Sequence, residues 1–460
     1  MPPEMASDSP PPHGDGLPAE TGRAAPPEGG RGEKPKKKRK PVDWGTLDFL
    51  LQNYTLIYST KTAWDARLQM VVSLDALAAA YPDLIRIWKS SARRRMIDPG
   101  QLVFDPGLPP DAPGVINMFR GMPVQPVRGE CGRLLELVNH LCGGDLDTID
   151  WVLRWVAYPL QHPGAKMRTS IVMHGDQGAG KNLWWETVLG LYGEYGAVIT
   201  QTQVEDRYND WASRKLLVLA DEVLTREELR HQKGLLKTYT TGATIQIRAM
   251  YMSAREEANH MNMVFLSNET QPLAIDPGDR RYMVVWTPPA REPAFYDAVG
   301  RELANGGAAA LLWHLLHRVE CAGFDEHTKP LLSEAKADVI RLSMGTPALF
   351  LADWRDGMIP LPWQHCRSQD LYAAYLHWCK CQGERFPWSL TKFSREIERT
   401  CHKERRLVHL PGDPKSAKAV VFFVPDQPTA PADAGDPDSH WLGRLSRDFL
   451  NAVEAYAKSA

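Results

Sequence analysis

The stretch 169-TSIVMHGDQGAGKNLWWET-187 predicts the fold of the central part of this chain. Residues 169–174 are a short apolar run typical of a buried strand, and residues 182–189 continue as a helix. Between them, Gly175 to Lys181 fits the spacing G-x-x-x-x-G-K. A strand, a glycine-rich loop and a helix in this order are typical of a phosphate-binding loop in an α/β domain.

The glycines explain why this spacing suits a phosphate group. They let the backbone wrap closely round an anion, so that its N–H groups and the helix N-terminus point at the ligand. Lys181 would neutralise the outer phosphates. The predicted nucleotide-binding set is Gly175, Asp176, Gln177, Gly178, Ala179, Gly180, Lys181 and Asn182. The alternative is a glycine-rich turn that binds nothing.

The amino-acid composition limits the classes of protein to which this chain can belong. The 460 residues suffice for two or three domains, and 43% hydrophobic with 24% charged residues is typical of a soluble protein. The net charge of −2 requires any nucleic-acid binding to come from local basic patches. We see no signal peptide and no membrane-spanning run, so we expect a cytoplasmic protein of a bacterial host. The seven cysteines have no regular framework, and we expect buried thiols rather than a zinc site.

Four further apolar runs follow the loop, at residues 197–200, 216–220, 263–267 and 282–286. Helical or loop segments separate them. Together with the strand before the loop they predict a five-stranded, mainly parallel sheet in an α/β fold.

Polar residues follow two of these runs. Asp221 and Glu222 come after the second, and Asn268 after the third. Carboxyl ends of parallel strands meet at one edge, so all three should face the nucleotide. Asp221 would hold the Mg²⁺ shell together with the amide of Asn182, which stands where such loops usually have Ser or Thr. Glu222 would act as base on the attacking water, which Asn268 would hold against the γ-phosphate.

Two arginines, Arg280 and Arg281, precede the last run. In a ring-shaped ATPase one such arginine reaches the γ-phosphate bound by the neighbouring subunit. The alternative is a salt bridge within one subunit.

Five motifs in order, GDQGAGKN, LLVLADE, LLKTYTTG, VFLSNE and GDRRYMVV, resemble superfamily 3 helicases, specifically the C-terminal half of phage, plasmid and poxvirus-type primase-helicases. The likeness covers roughly residues 44–347. It implies an AAA+-like core, a homo-hexameric ring, ATP with Mg²⁺, and 3′ to 5′ movement along single-stranded DNA. The implied function is an ATP-dependent DNA helicase in replication of a phage, plasmid or mobile element.

The resemblance also implies a hairpin that lines a central pore, here residues 244–262. Its expected DNA contacts are Arg248, Tyr251 and Arg255, with Lys237 ahead of it. Family members often carry a polymerising domain in front, with a zinc module or a D-x-D on a strand. The pair Asp145 and Asp147 has no strand around it, so we expect no primer synthesis from this chain.

The remaining parts divide by composition. Residues 1–42 are predicted to be disordered and end in a basic cluster at 34–40, which suits an import signal, an arm on nucleic-acid backbone or a solvated linker. We expect an N-terminal collar at 43–160 and the ATPase domain at 161–346. Arg93, Arg94 and Arg95 in the collar suit either phosphate contact or a solvated helix end.

Residues 347–425 predict a winged-helix-like domain with helices at 368–381 and 389–403, followed by two strands. The second helix would present a basic face to duplex or forked DNA, formed by Lys392, Arg395, Arg399 and Lys403. The alternative is a face that only keeps the domain soluble. An acidic linker then leads to an amphipathic helix at 441–460, which suits docking to a replication partner or packing on its own ring.

Two other functions remain open at this point. An ATP-switched initiator would bind an origin without processive unwinding. A DNA-packaging ATPase would usually carry a nuclease with clustered acids, and we find no such cluster in the sequence.

Overall fold

The computed structural model describes residues 42–222, 229–250, 254–276, 278–433 and 435–458, without the side chains of 229–233. The predicted disordered tail with its basic cluster, and the predicted DNA contact Tyr251, lie outside these residues.

The first part of the chain is a small α/β unit with a core of its own. Asp43 caps its first helix by accepting a hydrogen bond from the Thr46 N–H at 3.2 Å. The core contains Leu50, Tyr54 and Trp88. Its elements are α1 (Trp44–Asn53), β1 (Tyr54–Ile57), β2 (Thr62–Asp65), β3 (Met70–Ser73), α2 (Leu74–Ala80), α3 (Ile85–Ser90) and β4 (Arg95–Ile97), with strand order β3-β2-β1-β4.

Two amphipathic helices connect this unit to the central sheet. A short parallel pair, β5 (Leu102–Val103) and β6 (Ile116–Asn117), comes first, then α4 (Gly132–Leu141) and α5 (Leu146–Gln161). Asp145 caps α5, so it is a structural acid. The apolar faces of α4 and α5 share one core with the central sheet, and Trp64 of β2 in the N-terminal unit belongs to the same core.

The central sheet has five strands, and every neighbouring pair is parallel. The predicted five-stranded parallel α/β sheet is therefore confirmed. Its order is β13-β7-β12-β9-β8. The elements are β7 (Ser170–Gly175), α6 (Lys181–Gly190), β8 (Gly196–Ile199), α7 (Gln201–Glu205), β9 (Leu217–Asp221), α8 (Leu229–Thr241), β10 (Thr244–Ile247), β11 (Arg255–Ala258), β12 (Asn262–Ser267) and β13 (Tyr282–Thr287).

The two faces of this sheet are both buried, as continuous apolar strands require. One face packs against α4, α5 and α6, and against α9 (Pro293–Ala304) and α10 (Gly307–His317). The other packs against α8 and α11 (Glu334–Ser343).

The C-terminal unit is built round a separate aromatic core that includes Trp354, Tyr375 and Phe393. Its elements are α12 (Thr346–Arg355), β14 (Cys366–Arg367), α13 (Ser368–Cys381), α14 (Leu390–Ile397), β15 (His402–Val408), β16 (Ala417–Phe423) and α15 (Asp438–Lys458). The strands form an antiparallel sheet in the order β14-β16-β15. A buried carboxylate connects this unit to α11, because Asp353 accepts hydrogen bonds from the Arg341 guanidinium and from the Trp378 Nε1–H.

The second helix of the predicted winged-helix-like domain, expected at 389–403, was predicted wrongly at its C-terminal end. It ends at Ile397 instead of 403, because Cys401 is buried and residues 402–408 pair with β16 as a strand. Arg399 therefore lies in the turn after α14 and Lys403 in β15, and the four cations do not form one helical face.

The last helix packs on its own chain, which was one of the two open alternatives. Phe449 and Val453 are buried with Trp354 in the core of the C-terminal unit, and Leu442 is buried with Val408 of the hairpin. The apolar face predicted for a replication partner is thus covered within the chain.

Membrane and metal sites can be assessed within the same described residues. There, no helix combines the length and apolar composition that a membrane span needs. Nor do three or more His, Cys, Asp or Glu side chains group as a metal site in that part of the chain. All seven cysteines are free thiols.

Candidate functional site

The glycine loop, residues 175–181, connects the end of β7 to the start of α6 with three glycines at positive φ. Their φ angles are 134° at Gly175, 81° at Gly178 and 98° at Gly180. Other residues adopt these angles only with strain. Gly180 is also the N-cap residue of α6, so the first turn of that helix opens directly on the loop.

Close packing requires two of these glycines independently of their φ angles. A Cβ at Gly175 would lie 2.3 Å from the carbonyl oxygen of Thr287 in β13. A Cβ at Gly180 would lie 2.9 Å from Leu137 Cδ1 and 3.0 Å from Tyr296 Cε1. The loop is therefore held between β13 and the helices α4 and α9.

Lys181 is buried beneath the loop, with 5% of its surface exposed. Its ammonium donates to the carbonyl oxygens of Gly175 at 2.9 Å and Asp176 at 2.8 Å, and to Asn268 Oδ1 at 3.0 Å. Burial lowers the pKa of this ammonium, while the carboxylates of Asp176, Asp221 and Glu222 oppose that shift. The Lys181 ammonium therefore lies where an anion bound on the loop could replace these neutral oxygens as its hydrogen-bond partner.

Two acids lie at the end of β9, beside the loop. Asp221 is the last residue of the strand, and its Oδ2 accepts a hydrogen bond from Asn182 Nδ2 at 3.0 Å. Glu222 follows with a φ of 49° and its N–H donates to the Leu266 carbonyl at 3.0 Å. Its Oε1 accepts a hydrogen bond from Asn268 Nδ2 at 3.0 Å. The structure therefore brings together Lys181, Asn182, Asp221, Glu222 and Asn268.

A cavity of about 480 Å³ opens at this edge of the sheet. Its walls are the glycine loop, the two acids and Asn268, together with Leu183, Ser267 and Tyr296. Sequence reasoning missed Tyr296, which lies on α9 and accepts a hydrogen bond from the Arg291 N–H at 2.9 Å. No sequence motif marks this position, because Tyr296 is a single aromatic residue on a helix that follows the last strand.

Arg280 and Arg281 lie at the opposite edge of the sheet. Tyr282, which follows them, pairs with Ser170 at the start of β7, and five residue steps along that strand separate Ser170 from Gly175. At about 3.3 Å per residue that is roughly 16 Å, so neither arginine serves the cavity of its own chain. Arg281 pairs with Asp279, whose side chain is only 3% exposed. Arg280 is exposed and has no ion pair within the described residues.

The predicted hairpin is present as the antiparallel pair β10–β11. Arg248 is exposed, and among the described residues its guanidinium donates to the neutral Gln246 Oε1, at 2.7 and 3.1 Å. Arg255 instead forms a salt bridge with Glu257, whose side chain is 5% exposed. Lys237 is half-buried on α8.

The basic residues of the C-terminal unit divide into two kinds. Arg399 pairs with Glu396 at 2.8 Å and Lys403 with Glu398 at 2.7 Å. Lys392 and Arg395 are exposed on α14, and the described part of the chain offers them no ion pair.

Comparison with known proteins gives one family, one curated relative and several solved structures. Residues 173–281 match a family of unknown function (DUF5906). The DNA primase-polymerase of Nitratiruptor phage NrS-1 is 30% identical over 178 residues, which are 37% of this chain. The match covers 24% of that relative's length. The chain is therefore similar to a phage replication protein over a limited segment.

Solved structures extend the likeness in fold. The apo structure of the NrS-1 C terminal region (305–718) matches with a TM-score of 0.61 at 19% identity, over 82% of this chain and 98% of that one. A second apo structure of this region, the A form, gives 0.59 at 17% identity, over 83% and 98%. At such identities the match shows a shared α/β fold.

The packing of the glycine loop generates a first prediction. Gly175→Ala should destabilise the protein by about 1–3 kcal/mol, because alanine is strained at this φ and its methyl group meets the Thr287 carbonyl. The matched control is Gly190→Ala at the end of α6, where nothing lies within 4 Å of an added Cβ. Chemical denaturation measures both. Equal stability of the two variants would contradict the rigid loop.

Proposed function

We propose that this chain is an ATP-dependent DNA helicase of the superfamily 3 type, moving 3′ to 5′ in the replication of a phage or related element. One observation carries the proposal: Lys181, Asp221, Glu222 and Asn268 converge on one cavity beside a glycine loop. Such an arrangement suits phosphoryl transfer from a nucleoside triphosphate. The limited similarity to a phage primase-polymerase supports the replication context.

Binding of the triphosphate would use the loop and Lys181. Backbone N–H groups at the start of α6 favour negative charge, and Lys181 would leave Asn268 Oδ1 for a phosphate oxygen. Asp221 and the oxygen of Asn182 fit Mg²⁺, since both are hard oxygen ligands. Their side chains are already in contact, because Asn182 Nδ2 donates to Asp221 Oδ2 at 3.0 Å. Magnesium would neutralise charge on the β- and γ-phosphates.

Hydrolysis would use Glu222 and Asn268. The carboxylate of Glu222 is exposed in the cavity and suits a base that orients and deprotonates water. Asn268 donates to that carboxylate while accepting from Lys181, so it contacts both the base and the cation. Departure of Lys181 to a phosphate would free the Asn268 oxygen for the attacking water. Asn268 would thus report whether the γ-phosphate is present.

A ring assembly would complete the site. Arg280 is exposed at the opposite edge of the sheet, whereas Arg281 is held by Asp279. We therefore assign the γ-phosphate contact of the neighbouring subunit to Arg280, within the homo-hexamer that the family resemblance implies. Arg281 would hold the turn that presents it.

Single-stranded DNA would contact the hairpin in the pore of that ring. Arg248 is exposed at the end of β10 and donates to a neutral side chain, so it suits a phosphate contact. Tyr251 remains a proposed stacking residue between the two strands. Lys237 remains a proposed contact on α8.

Forked or duplex DNA would contact the C-terminal unit, whose order of helix, strand, two helices and hairpin is that of a winged helix. The β15–β16 hairpin has one face that includes Phe422, which is buried in the same core as Phe393 of α14. On this face Leu407 and Val420 are 48% and 38% exposed. Arg405 and Lys418 share that face, because they pair directly with Val420 and Leu407. α15 covers the opposite face. The proposed surface consists of Lys392, Arg395, Arg405 and Lys418.

Loss of ATP hydrolysis tests the site. Lys181→Ala and Glu222→Gln should each lower the rate by about 100-fold or more, because each removes charge or base needed in the transition state. Glu222→Gln should still bind ATP, and Lys181→Ala should not. The control is Glu186→Gln, an exposed acid on α6. Phosphate release and strand displacement are measured with ATP and Mg²⁺.

The same assay separates the rival functions. Origin binding that depends on ATP but lacks displacement would select the initiator. Hydrolysis with neither DNA stimulation nor displacement would contradict the helicase proposal and leave the packaging ATPase.

Subunit mixing tests Arg280. Arg280→Ala should lower ATP hydrolysis by about 1000-fold, whereas Arg281→Ala should mainly lower thermal stability because buried Asp279 loses its partner. Mixing Arg280→Ala with Lys181→Ala subunits should restore part of the activity, because one supplies an intact cavity and the other an intact arginine. Mixtures as inactive as either variant alone would contradict action between subunits.

Salt dependence tests the winged-helix surface. Replacing Lys392 and Arg395 by Ala should reduce the slope of log K against log salt for duplex binding by about 1.8, since each free cation releases roughly 0.9 counterion. The control replaces Arg399 and Lys403, which already have carboxylate partners and should change the slope less. Anisotropy with a labelled duplex measures both. Equal slopes in the two variants would remove α14 from the DNA interface.

A further inference from the structure

The hairpin β10–β11 is held on both of its strands by a segment, residues 209–214, that leads into β9. Asn209 makes three hydrogen bonds with the main chain at the end of β10. Its N–H donates to the Arg248 carbonyl at 3.0 Å, and its Oδ1 accepts from the Arg248 N–H at 2.8 Å. Its Nδ2 donates to the Gln246 carbonyl at 2.8 Å.

The other strand of the hairpin is held by a buried acid. The side chain of Glu257 is 5% exposed. It accepts hydrogen bonds from Ser213 Oγ at 2.7 Å, the Arg214 N–H at 3.2 Å and Arg255 Nε at 3.0 Å. A buried carboxylate is tolerated only with such a full set of donors, so this contact is costly to break.

The same segment also contacts the N-terminal unit. Arg214 has a φ of 59°, and its guanidinium donates to the Gln69 carbonyl, in the turn between β2 and β3, at 2.8 Å. Arg120 Nε donates to the Gln69 side chain at 2.8 Å. The hairpin and the N-terminal unit are therefore attached to one short stretch of chain.

That stretch continues without a break into the sheet. Leu216 donates to the Tyr195 carbonyl and accepts from the Asn262 N–H, both at 2.8 Å, and β9 then pairs with β8 and β12 along its length. β9 ends at Asp221 in the candidate nucleotide site. Hairpin, sheet and N-terminal unit thus form one hydrogen-bonded body.

We infer that Asn209 and Glu257 are positioning residues that fix the hairpin rigidly to the sheet and the N-terminal unit, so that the hairpin moves along DNA only when the whole subunit moves. The inference rests on the proposed helicase function. It excludes a hairpin that swings on its own sheet during each cycle, because a swing would expose the Glu257 carboxylate or strip it of its donors. Arg255, predicted as a DNA contact, acts as one of those donors.

A charge-matched pair of variants tests the positioning role. Glu257→Gln replaces one carboxylate oxygen by an amide N–H₂, which faces either the Arg214 N–H or the donors of Ser213 and Arg255, and should loosen the hairpin. Strand displacement per ATP hydrolysed should fall by about 10-fold or more, because the contact with DNA is misplaced. Basal ATP hydrolysis should stay within about twofold, since Glu257 is remote from the cavity. Glu256→Gln, the exposed neighbour on β11, should behave as the wild type.

Amide hydrogen exchange of residues 244–247 and 255–258 gives a readout that is independent of catalysis. A rigid hairpin should exchange at one rate without nucleotide, with ADP and with a non-hydrolysable ATP analogue, and about 10-fold faster or more in Glu257→Gln and Asn209→Ala. The inference would be overturned if hairpin exchange in the wild type changed with the bound nucleotide. It would also be overturned if Glu257→Gln displaced as much strand per ATP hydrolysed as the wild type.

The remaining outcomes separate the inference from the proposed function. A parallel fall of thermal midpoint and basal hydrolysis in Glu257→Gln would show a purely structural role and also overturn the inference. Wild-type protein without DNA-stimulated hydrolysis would refute the helicase proposal instead, and the exchange rates would still decide whether the hairpin is rigid.

Discussion

The hydrogen bonds of Asn268 are the constraint on which the rest of the site depends. Its two amide atoms contact Lys181 and Glu222, which lie on different neighbouring segments at the carboxyl edge of the sheet. These contacts require β7, β9 and β12 to end at the same level, which their parallel registers provide. The buried apolar faces of the sheet stabilise those registers. The polar chemistry at the edge is thus a consequence of close packing in the interior.

Much of this centre could be predicted from sequence because each of its parts has a local signal. Each of the five strands has an apolar run and the loop has a glycine spacing. Asp221 ends its strand, and Asn268 immediately follows the next one along the chain. Tyr296 has no such signal, since only the packing of α9 against Gly180 brings its ring to the cavity. The N-terminal sheet also lacks a clear signal, because its strands have three or four residues each.

Two of the predicted DNA contacts, Arg255 and Arg399, have ion pairs that the sequence alone does not show. Charge and helical spacing along the sequence do not show which cations already have partners. Arg255 neutralises a buried acid two residues away, and Arg399 pairs with Glu396, three residues before it in α14. The end of α14 was misplaced because residues 398–403 keep a helical pattern in sequence. In the structure Cys401 is buried after the helix, and the strand that begins at His402 forms a hairpin with β16. Tertiary pairing overrode local pattern in each case.

The contact of Asp353 with Arg341 and Trp378 has a consequence for how such chains diversify. The acid belongs to the C-terminal unit and the arginine to a helix on the central sheet, so the pair crosses the junction between them. A recombination event that exchanged the C-terminal unit for an unrelated one would leave Arg341 without its carboxylate. A functional recombinant would need a matching acid at that position or a second substitution of the arginine. The junction therefore limits which C-terminal units can be combined with this central domain.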